Sequence, residues 1–234
     1  MKAALVTGAS RGIGLAISKK LVKMGYKVYG LARDFSTAEI EGTDFIRVVC
    51  DITDTNSLLK KINEIKNSEG NIHIVVNNAG VGYFGPHEQL KPSQIEKMVL
   101  TNLQAPLILT NLLLRELKKN SGYIINISSI TAKKSSTHGC AYCATKAGLS
   151  HFSTSLFDEV RKSGVKVVAI HPDITASDFH NHADFTHGED PLSYITPECI
   201  ADAIENILLQ REGTLISEIT IRPQKNAIER KKQT

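Results

Sequence analysis

Short apolar segments alternate with longer amphipathic segments along almost the whole chain. The short segments are rich in β-branched residues and predict strands at 3–7, 27–32, 45–49, 72–76, 122–128, 165–171 and 215–222. The segments 72–76 and 165–171 are nearly continuous apolar runs, as expected where helices cover both faces of a sheet. This alternation is typical of βαβ units that build a parallel sheet.

The longer segments carry apolar residues at helical spacing. One predicted helix contains Leu58, Ile62 and Ile65, a longer one runs from Asn102 to Lys119, and another from Gly139 to Arg161. We therefore predict a single doubly wound α/β domain with three layers over residues 1–224, built around a seven-stranded parallel sheet.

Two stretches lack this pattern. Residues 173–195 are polar, rich in His and Asp and without a convincing period, and so long a loop in a compact domain is usually functional or mobile. We predict a substrate lid that orders on ligand binding, and an irregular surface loop is the alternative. Residues 225–234 form a polar, basic tail that is expected to be solvated or frayed.

Composition narrows the class of protein. The 234 residues, 41% of them hydrophobic, suffice for one sizeable core. The net charge of +4 is modest and its cations are interleaved with acids, so no nucleic acid partner is implied. We expect no signal peptide, no segment that spans a membrane and, with four scattered cysteines, no disulfide framework. These features predict a soluble cytoplasmic protein.

Three glycines, Gly8, Gly12 and Gly14, follow the first strand and open a helix. Without side chains they let the backbone approach a pyrophosphate, and the helix N-terminus adds amide donors and a positive dipole. Their spacing differs from the GxGxxG of many dinucleotide folds. The turn therefore predicts a dinucleotide site, with a tight turn that binds no ligand as the alternative.

Tyr142 and Lys146 are four residues apart on a predicted helix. Their side chains should rise from one face, where an ammonium group favours a neighbouring phenolate. A tyrosine so placed can act as an acid or base near neutral pH.

Together these motifs resemble the short-chain dehydrogenase/reductase family over practically the whole chain. Thr7 to Gly14 matches the family's cofactor turn, Asn77-Asn78-Ala79-Gly80 matches its motif after the fourth strand, and the match to its catalytic tetrad comprises Asn102, Ser129, Tyr142 and Lys146. The resemblance implies a Rossmann-fold oxidoreductase that acts on a small-molecule carbonyl or alcohol and assembles as a homodimer or homotetramer.

The resemblance also implies a role for each tetrad residue. Tyr142 would transfer the proton, Lys146 would bond the nicotinamide ribose, and Ser129 would stabilise the substrate oxygen. Asn102 would hold a water that links Lys146 to solvent. The alternative is that the four side chains merely fill a helix kink, cap a strand and pack in a core.

The predicted cofactor contacts lie at the carboxyl ends of several strands. They are Gly8, Ser10, Arg11, Gly12, Ile13, Gly14, Arg33, Asp51, Ile52, Asn78, Ala79, Gly80, Tyr142, Lys146, Pro172, Ile174 and Ser177. Asp51 would receive the adenine amino group, unless it only caps the turn to the next helix.

Arg33 stands after the second strand, where an acid would instead bind the ribose hydroxyls of NAD. With Arg11 it offers two guanidinium groups to a ribose 2′-phosphate, which favours NADP(H) over NAD(H). The neighbouring Asp34 competes with this interpretation, and both arginines could simply be solvated.

Two residues depart from the family pattern. Asp173 follows Pro172 where the family usually has glycine, and its carboxylate could crowd or repel the nicotinamide; Ser177 replaces a common threonine. No metal is predicted from the cluster Asp178, His180, His182, Asp184 and His187, because its spacing repeats no known zinc pattern. The CxxC of Cys140 and Cys143 is taken as packing residues.

The sequence therefore predicts NADPH-dependent reduction of a carbonyl, or the reverse oxidation of a secondary alcohol, with a small ketone, dicarbonyl or hydroxy acid as substrate. A 3-oxoacyl-acyl carrier protein reductase is an alternative, weakened because the chain lacks a glycine pair after its last strand. A non-catalytic NADP(H)-binding regulator or scaffold is the other alternative.

Overall fold

Seven parallel strands form a single sheet in the computed structural model, which describes residues 1–40, 42–181, 183–225 and 227–231. The strands of the chain are β1 (Ala3–Thr7), β2 (Lys27–Ala32), β3 (Phe45–Val49), β4 (Ile72–Asn77), β5 (Tyr123–Ile127), β6 (Lys166–Pro172), β7 (Phe185–His187), β8 (Glu218–Ile221) and β9 (Ile228–Arg230). The sheet has the order β3-β2-β1-β4-β5-β6-β8, which reverses direction between β1 and β4. That reversal opens a crevice at the carboxyl ends of the strands.

Helices cover both faces of this sheet. They are α1 (Gly12–Lys23), α2 (Thr55–Ser68), α3 (Pro92–Val99), α4 (Ala105–Lys119), α5 (Cys140–Val160) and α6 (Pro197–Leu208). The core on one face contains Ile17 of α1 and Ile204 of α6. The core on the other face contains Ile62 of α2, Leu113 of α4 and Leu156 of α5. The predicted doubly wound, three-layer fold is thereby confirmed.

A π-helical turn, Leu100–Gln104, joins α3 to α4. The combined helix Pro92–Lys119 has 28 residues and is, by length and composition alone, apolar enough to cross a membrane. The sequence pattern does not predict an apolar helix of this length. Its residues Leu109, Leu113 and Leu117 are buried in the core against the sheet, so packing accounts for its apolar character.

The segment after β6 and the tail are bound to each other. Strand β7 pairs with β9 in antiparallel register, Phe185 opposite Arg230. Lys225 donates its backbone N–H to the Leu192 carbonyl at 2.8 Å. Residues 227–231 are therefore paired rather than frayed, but all of them are exposed, which agrees with a solvated tail; Asn226 and 232–234 lie outside the described residues.

Candidate active site

The four residues of the predicted tetrad come together below the carboxyl edge of the sheet. Asn102 lies in the π-helical turn, Ser129 follows β5, and Tyr142 and Lys146 occupy the first two turns of α5. Their exposed fractions are 0% for Asn102, 8% for Ser129, 7% for Tyr142 and 3% for Lys146. The four polar side chains thus lie together in a region that is almost closed to solvent.

Lys146 is held by the end of β5. Its Nζ donates to the Ile127 carbonyl at 2.9 Å and lies 5.8 Å from the centre of the Tyr142 ring. Its own carbonyl accepts a hydrogen bond from Ser128 Oγ at 2.9 Å. Burial lowers the pKa of Lys146 to about 8, because the charged ammonium is poorly solvated there.

Burial also sets the protonation state of Tyr142. It raises the pKa of Tyr142 well above its ordinary value, and a hydrogen bond with Ser129 acts only partly against this. The expectation that Lys146 favours the phenolate stays a prediction. Desolvation is the largest influence on the pKa of Tyr142, and the residue keeps its proton at neutral pH.

The side chain of Asn102 holds the loop after β4 through hydrogen bonds. Its Nδ2 donates to the Val81 carbonyl at 2.8 Å and to Thr145 Oγ1 at 3.1 Å, while its Oδ1 accepts from Val81 N at 2.8 Å. Both amide hydrogens are thus used, and one lone pair of Oδ1 stays available for a water. π-Helical turns often occur at functional sites.

Ser129 is fixed from two sides. Its Oγ accepts hydrogen bonds from Thr131 N at 3.1 Å and Thr131 Oγ1 at 3.0 Å. Its carbonyl oxygen lies 3.1 Å from Nδ1 of His171, a fully buried residue on β6. Sequence reasoning missed His171, although a histidine within an otherwise apolar strand was a signal.

The glycine turn is tightened by the motif after β4. A Cβ on Gly14 would collide with the Gly8 carbonyl oxygen, so only glycine fits there. Asn78 Nδ2 donates to the Thr7 carbonyl at 2.9 Å, and the backbone N–H groups of Asn78 and Ala79 donate to Thr7 Oγ1, both at 3.0 Å. Gly8 has φ +67°, which favours glycine.

Gly80 lies between two tetrad residues. A Cβ added to it would lie 3.5 Å from both Asn102 Oδ1 and Lys146 Nζ. The motif after β4 thus connects the glycine turn to the tetrad, although Asn78 itself acts within the protein by bracing the turn.

The first turn of α1 is open at its amino end. Arg11, at the N-cap, makes no capping hydrogen bond through its side chain, and Ser10 and Ile13 flank it half-buried. Arg11 and Arg33 are both exposed, and neither forms an ion pair within the described part of the chain. A helix start without a side-chain cap, carrying a cation at its N-cap, suits a bound phosphate.

Asp34, the residue that competes with the NADP interpretation, is engaged elsewhere. Its two carboxylate oxygens accept from Ser36 N at 2.9 Å and from Ser36 Oγ at 2.6 Å. These bonds lower the pKa of Asp34, the bond from the Ser36 hydroxyl most of all. Its carboxylate is therefore committed to its own loop.

Asp51, after β3, is partly engaged in the turn that follows. Its Oδ1 accepts from Thr53 N at 2.9 Å and Thr53 Oγ1 at 2.7 Å, while Ile52 is half-buried against the core. Desolvation raises the pKa of Asp51, but the Thr53 bonds and the charge of Arg33 bring it below its ordinary value. The capping alternative thus has direct support, and Oδ2 remains for a ligand.

The loop after β6 faces the glycine turn. A Cβ on Gly12 would lie 3.6 Å from Ser177 Cβ, while Pro172 and Ile174 are buried. Asp173 Oδ1 accepts from the Ile174 N–H, and its Oδ2 lies 3.3 Å from Arg222 Nε and 3.8 Å from Lys134 Nζ. Two cations therefore compensate the carboxylate that replaces the family's glycine.

Aromatic rings cover Tyr142. The ring of Phe84, in the loop after β4, lies 5.3 Å from that of Tyr142, and the ring of Phe179 lies 5.7 Å from it. His180 and Phe185 extend this group, which we call the aromatic cluster: Phe84, Phe179, His180 and Phe185. No sequence signal identified Phe84.

Within the described ranges no group of three His, Cys, Asp or Glu side chains is arranged to hold a metal, and His182 lies outside those ranges. Cys140 and Cys143 are free thiols, and Cys140 Sγ lies 3.2 Å from His87 Nδ1.

Comparison with known proteins agrees with this geometry. The sequence matches the short chain dehydrogenase family over residues 2–186. The 3-oxoacyl-acyl-carrier-protein reductase of Haemophilus influenzae is 37% identical over 182 residues, which cover 76% of this chain and 75% of the relative. The crystal structure of a metagenomic short-chain oxidoreductase in complex with NADP is 32% identical, with a TM-score of 0.81 over 95% of this chain and 97% of that one. An alcohol dehydrogenase from the archaeon Thermococcus sibiricus, complexed with 5-hydroxy-NADP, is 25% identical, with a TM-score of 0.87 over the same shares.

Proposed function

The chain belongs to the short-chain dehydrogenase family of oxidoreductases, and we propose that it reduces a small carbonyl compound at the expense of NADPH, or oxidises the corresponding secondary alcohol. The observation that carries this proposal is the convergence of four buried polar side chains, Asn102, Ser129, Tyr142 and Lys146, beside a glycine turn that opens a helix. Such a set can supply a proton to a carbonyl oxygen while hydride reaches its carbon.

In this proposal Tyr142 is the acid. Its raised pKa keeps the proton in place until a carbonyl oxygen develops negative charge next to it. Ser129, whose Oγ already accepts from Thr131 N, directs its own hydrogen towards the same oxygen. Lys146 lies one helical turn away and can pass a proton to Tyr142, because its pKa is only about 8.

The residues present fit NADP(H). The uncapped start of α1 would hold the pyrophosphate, and the exposed Arg11 and Arg33 would bind the 2′-phosphate. The bound cofactor would supply the hydride. Support comes from the engagement of Asp34 by Ser36 and from the related metagenomic oxidoreductase that was crystallised with NADP.

The test is NADPH oxidation by the purified chain with a panel of ketones, aldehydes and dicarbonyls. We expect turnover with at least one carbonyl and its loss in Tyr142→Phe. Tight NADPH binding with no turnover across the panel would instead favour the non-catalytic regulator. The pairing of Asp173 with Arg222 and Lys134 weakens the feature that favours the regulator, because it compensates the charge that could repel the nicotinamide.

A second candidate is reduction of a 3-oxoacyl thioester. It is favoured by the 37% identity to the reductase of Haemophilus influenzae. The segment from Glu218 to Pro223, at the last strand of the sheet, lacks a glycine pair, and this argues against a 3-oxoacyl reductase. Acetoacetyl-coenzyme A belongs in the panel, and a preference for it over every small carbonyl would select this candidate.

We propose that the lid, residues 173–195, orders further when NADPH or substrate binds. The position of Phe179 against Tyr142, with Phe185 against Phe84, supports this, since such a segment controls access of water and substrate. Equal hydrogen exchange of the lid with and without ligand, while the glycine turn becomes protected, would contradict it.

We also propose a homodimer or homotetramer in the cytoplasm, with α4 and α5 at the interface. Leu112 and Phe152 remain half-buried and support this, whereas Leu113, Leu149 and Leu156 are buried within the chain itself and do not. Light scattering that gives only the 25.6 kDa monomer at micromolar concentration would contradict assembly. The four free cysteines suit a reducing compartment.

A further inference from the structure

The tail is bound to the lid as one unit. The residue pairs between β7 of the lid and β9 of the tail are Phe185 with Arg230, Thr186 with Glu229 and His187 with Ile228. The Lys231 side chain adds hydrogen bonds to two lid carbonyls, those of His180 at 2.6 Å and Asn181 at 3.0 Å. A movement of the lid therefore carries the tail with it.

Arg230 lies on the inner face of this two-stranded ribbon, the face that contacts the aromatic cluster. Opposite residues of an antiparallel pair project from the same face, and Arg230 lies opposite Phe185. The Phe185 ring lies 5.2 Å from the ring of Phe84, which in turn lies 5.3 Å from the ring of Tyr142. Arg230 therefore leaves β9 on the side of the proposed acid.

The acidic residue of the ribbon projects from its outer face. Glu229 precedes Arg230 in β9, and successive side chains of a strand point to opposite faces. Its Oε1 accepts a hydrogen bond from the Glu189 backbone N–H at 3.4 Å. On the inner face, therefore, no carboxylate of β7 or β9 competes for Arg230.

Other cations around the tetrad and the lid already have partners. These pairs are Lys133 with Glu218, Lys134 and Arg222 with Asp173, Lys225 with Asp190, Lys146 with the Ile127 carbonyl, and Lys231 with the carbonyls of His180 and Asn181. Arg230 is exposed and forms no ion pair with any residue that the structure describes. Its guanidinium group can therefore bind an anion without breaking an ion pair of the folded chain.

A substrate reaches Tyr142 only when the lid opens. The rings of Phe84 and Phe179 pack on that of Tyr142, and a Cβ at Gly82 would lie 2.7 Å from Phe84 Cε2 and 3.0 Å from Phe179 Cζ. The two rings thus meet around one point and must part to admit a carbonyl. Because Arg230 moves with the lid, its attraction to an anion on the bound substrate favours closure of the lid.

We infer that the substrate is a keto acid, or the corresponding hydroxy acid, whose carboxylate is bound by Arg230 when the lid closes. The inference rests on the proposed function and specifies its substrate class. The rings of Phe84 and Phe185 separate Arg230 from Tyr142, so the carboxylate is remote from the carbonyl. The same rings offer an apolar surface to the carbon chain between the two groups.

The first test isolates the charge. Levulinate and 5-oxohexanoate carry a carboxylate remote from the ketone, and their methyl esters keep a ketone of nearly equal intrinsic reactivity without the charge. With the full chain and NADPH, we expect kcat/KM for the acid to exceed that for its ester by roughly tenfold or more in at least one pair, mainly through KM. Equal values in both pairs, or a preference for the esters, would overturn the inference.

The second test concerns the distance between the two groups. Pyruvate places the carboxylate directly next to the carbonyl, and methyl pyruvate is its uncharged counterpart. After division by each compound's rate with borohydride, the ratio of kcat/KM for acid to ester should be larger for the remote acids than for pyruvate. A larger ratio for pyruvate would contradict the remote position of the carboxylate.

The third test assigns the effect to Arg230. In Arg230→Met the ratio of kcat/KM for the preferred acid to its ester should fall towards one, and Arg230→Lys, which keeps the charge, should retain part of it. The ratio is measured within one variant, so a reduced folded fraction or a looser lid affects both compounds and cancels. In the control Arg211→Met, at an exposed site after α6, the ratio should not change. An unchanged ratio in Arg230→Met would remove this residue from substrate recognition.

These outcomes separate the inference from its premise. If no carbonyl is reduced although NADPH fluorescence shows binding, the proposed function itself is wrong and the inference falls with it. If the neutral esters are reduced at least as well as the acids, the function stands and only the recognition of a carboxylate is wrong.

Discussion

Nδ1 of His171 lies 3.1 Å from the backbone carbonyl oxygen of Ser129. His171 is fully buried, and burial lowers its pKa, so at neutral pH it is an uncharged ring whose Nδ1–H donates to that carbonyl. Its Nε2 lies 3.1 Å from Glu218 Oε1 but without hydrogen-bond geometry. We therefore treat His171 as a positioning residue for Ser129.

His171→Leu should lower both stability and turnover. The variant leaves the Ser129 carbonyl without its donor, and losing such a buried partner costs about 1–3 kcal/mol. Urea unfolding gives the stability, and kcat per folded protein gives the catalytic effect. His171→Gln, which retains a donor, should recover part of kcat. Unchanged kcat per folded protein in His171→Leu would show that the histidine does not position Ser129.

Tyr142→Phe should abolish most turnover and leave NADPH binding nearly unchanged. The change removes the proposed proton donor and keeps the ring, and the loss of an acid usually costs ~100-fold or more in rate. Steady-state kinetics and fluorescence titration with NADPH check the two parts. Tyr123→Phe, on the first residue of β5, is the matched control and should keep its activity. More than about a tenth of wild-type kcat in Tyr142→Phe would contradict the assignment.

Arg33→Asp should shift cofactor preference from NADPH towards NADH. It replaces the proposed partner of the 2′-phosphate with an acceptor for ribose hydroxyls. The measurement is the ratio of kcat/KM for the two cofactors. Arg211→Asp, which makes the same charge change at an exposed site after α6, should leave that ratio unchanged. An equal ratio in both variants would mean that Arg33 does not recognise the phosphate.

Lys231→Met should loosen the lid. The side chain of Lys231 bonds the carbonyls of His180 and Asn181, and its backbone N–H bonds the Asp184 carbonyl at 2.8 Å. We expect faster hydrogen exchange in peptides over 178–187 and a higher KM for the carbonyl. Lys162→Met, an exposed lysine after α5, serves as control. Identical exchange in the two variants would exclude a role of the Lys231 side chain in holding the lid.

Protonation of His180 should lower the stability of the folded protein at acid pH. Burial, followed by the charges of Lys231 and His187, lowers its pKa from 6.5 to about 4. The unfolded chain therefore binds the proton first: this contribution to stability is complete above about pH 6.5 and is lost as the pH falls towards 4. Tm measured from pH 7 to pH 4 should fall less in His180→Phe than in wild type. Parallel curves would show that His180 does not titrate within the cluster.

The regular parts of the fold could be predicted from local sequence. Strands β1, β2 and β3 have the predicted bounds, because an apolar run bounded by a glycine or polar turn fixes a buried parallel strand. The four-residue spacing of Tyr142 and Lys146 likewise placed them on one helix face, since helical periodicity is a local property. The glycine turn could also be predicted, because the backbone at Gly8 and Gly14 has room or a conformation only for glycine.

Contacts between distant segments could not be predicted in this way. The pairing of β7 with β9, the approach of His171 to Ser129 and the packing of Phe179 on Tyr142 each join distant segments, and the local sequence around one partner does not indicate the other. The protonation state of Tyr142 belongs to the same class. The spacing of the sequence places a lysine next to the tyrosine, but only the folded chain decides how much water remains around the phenol, and desolvation is the largest influence on its pKa.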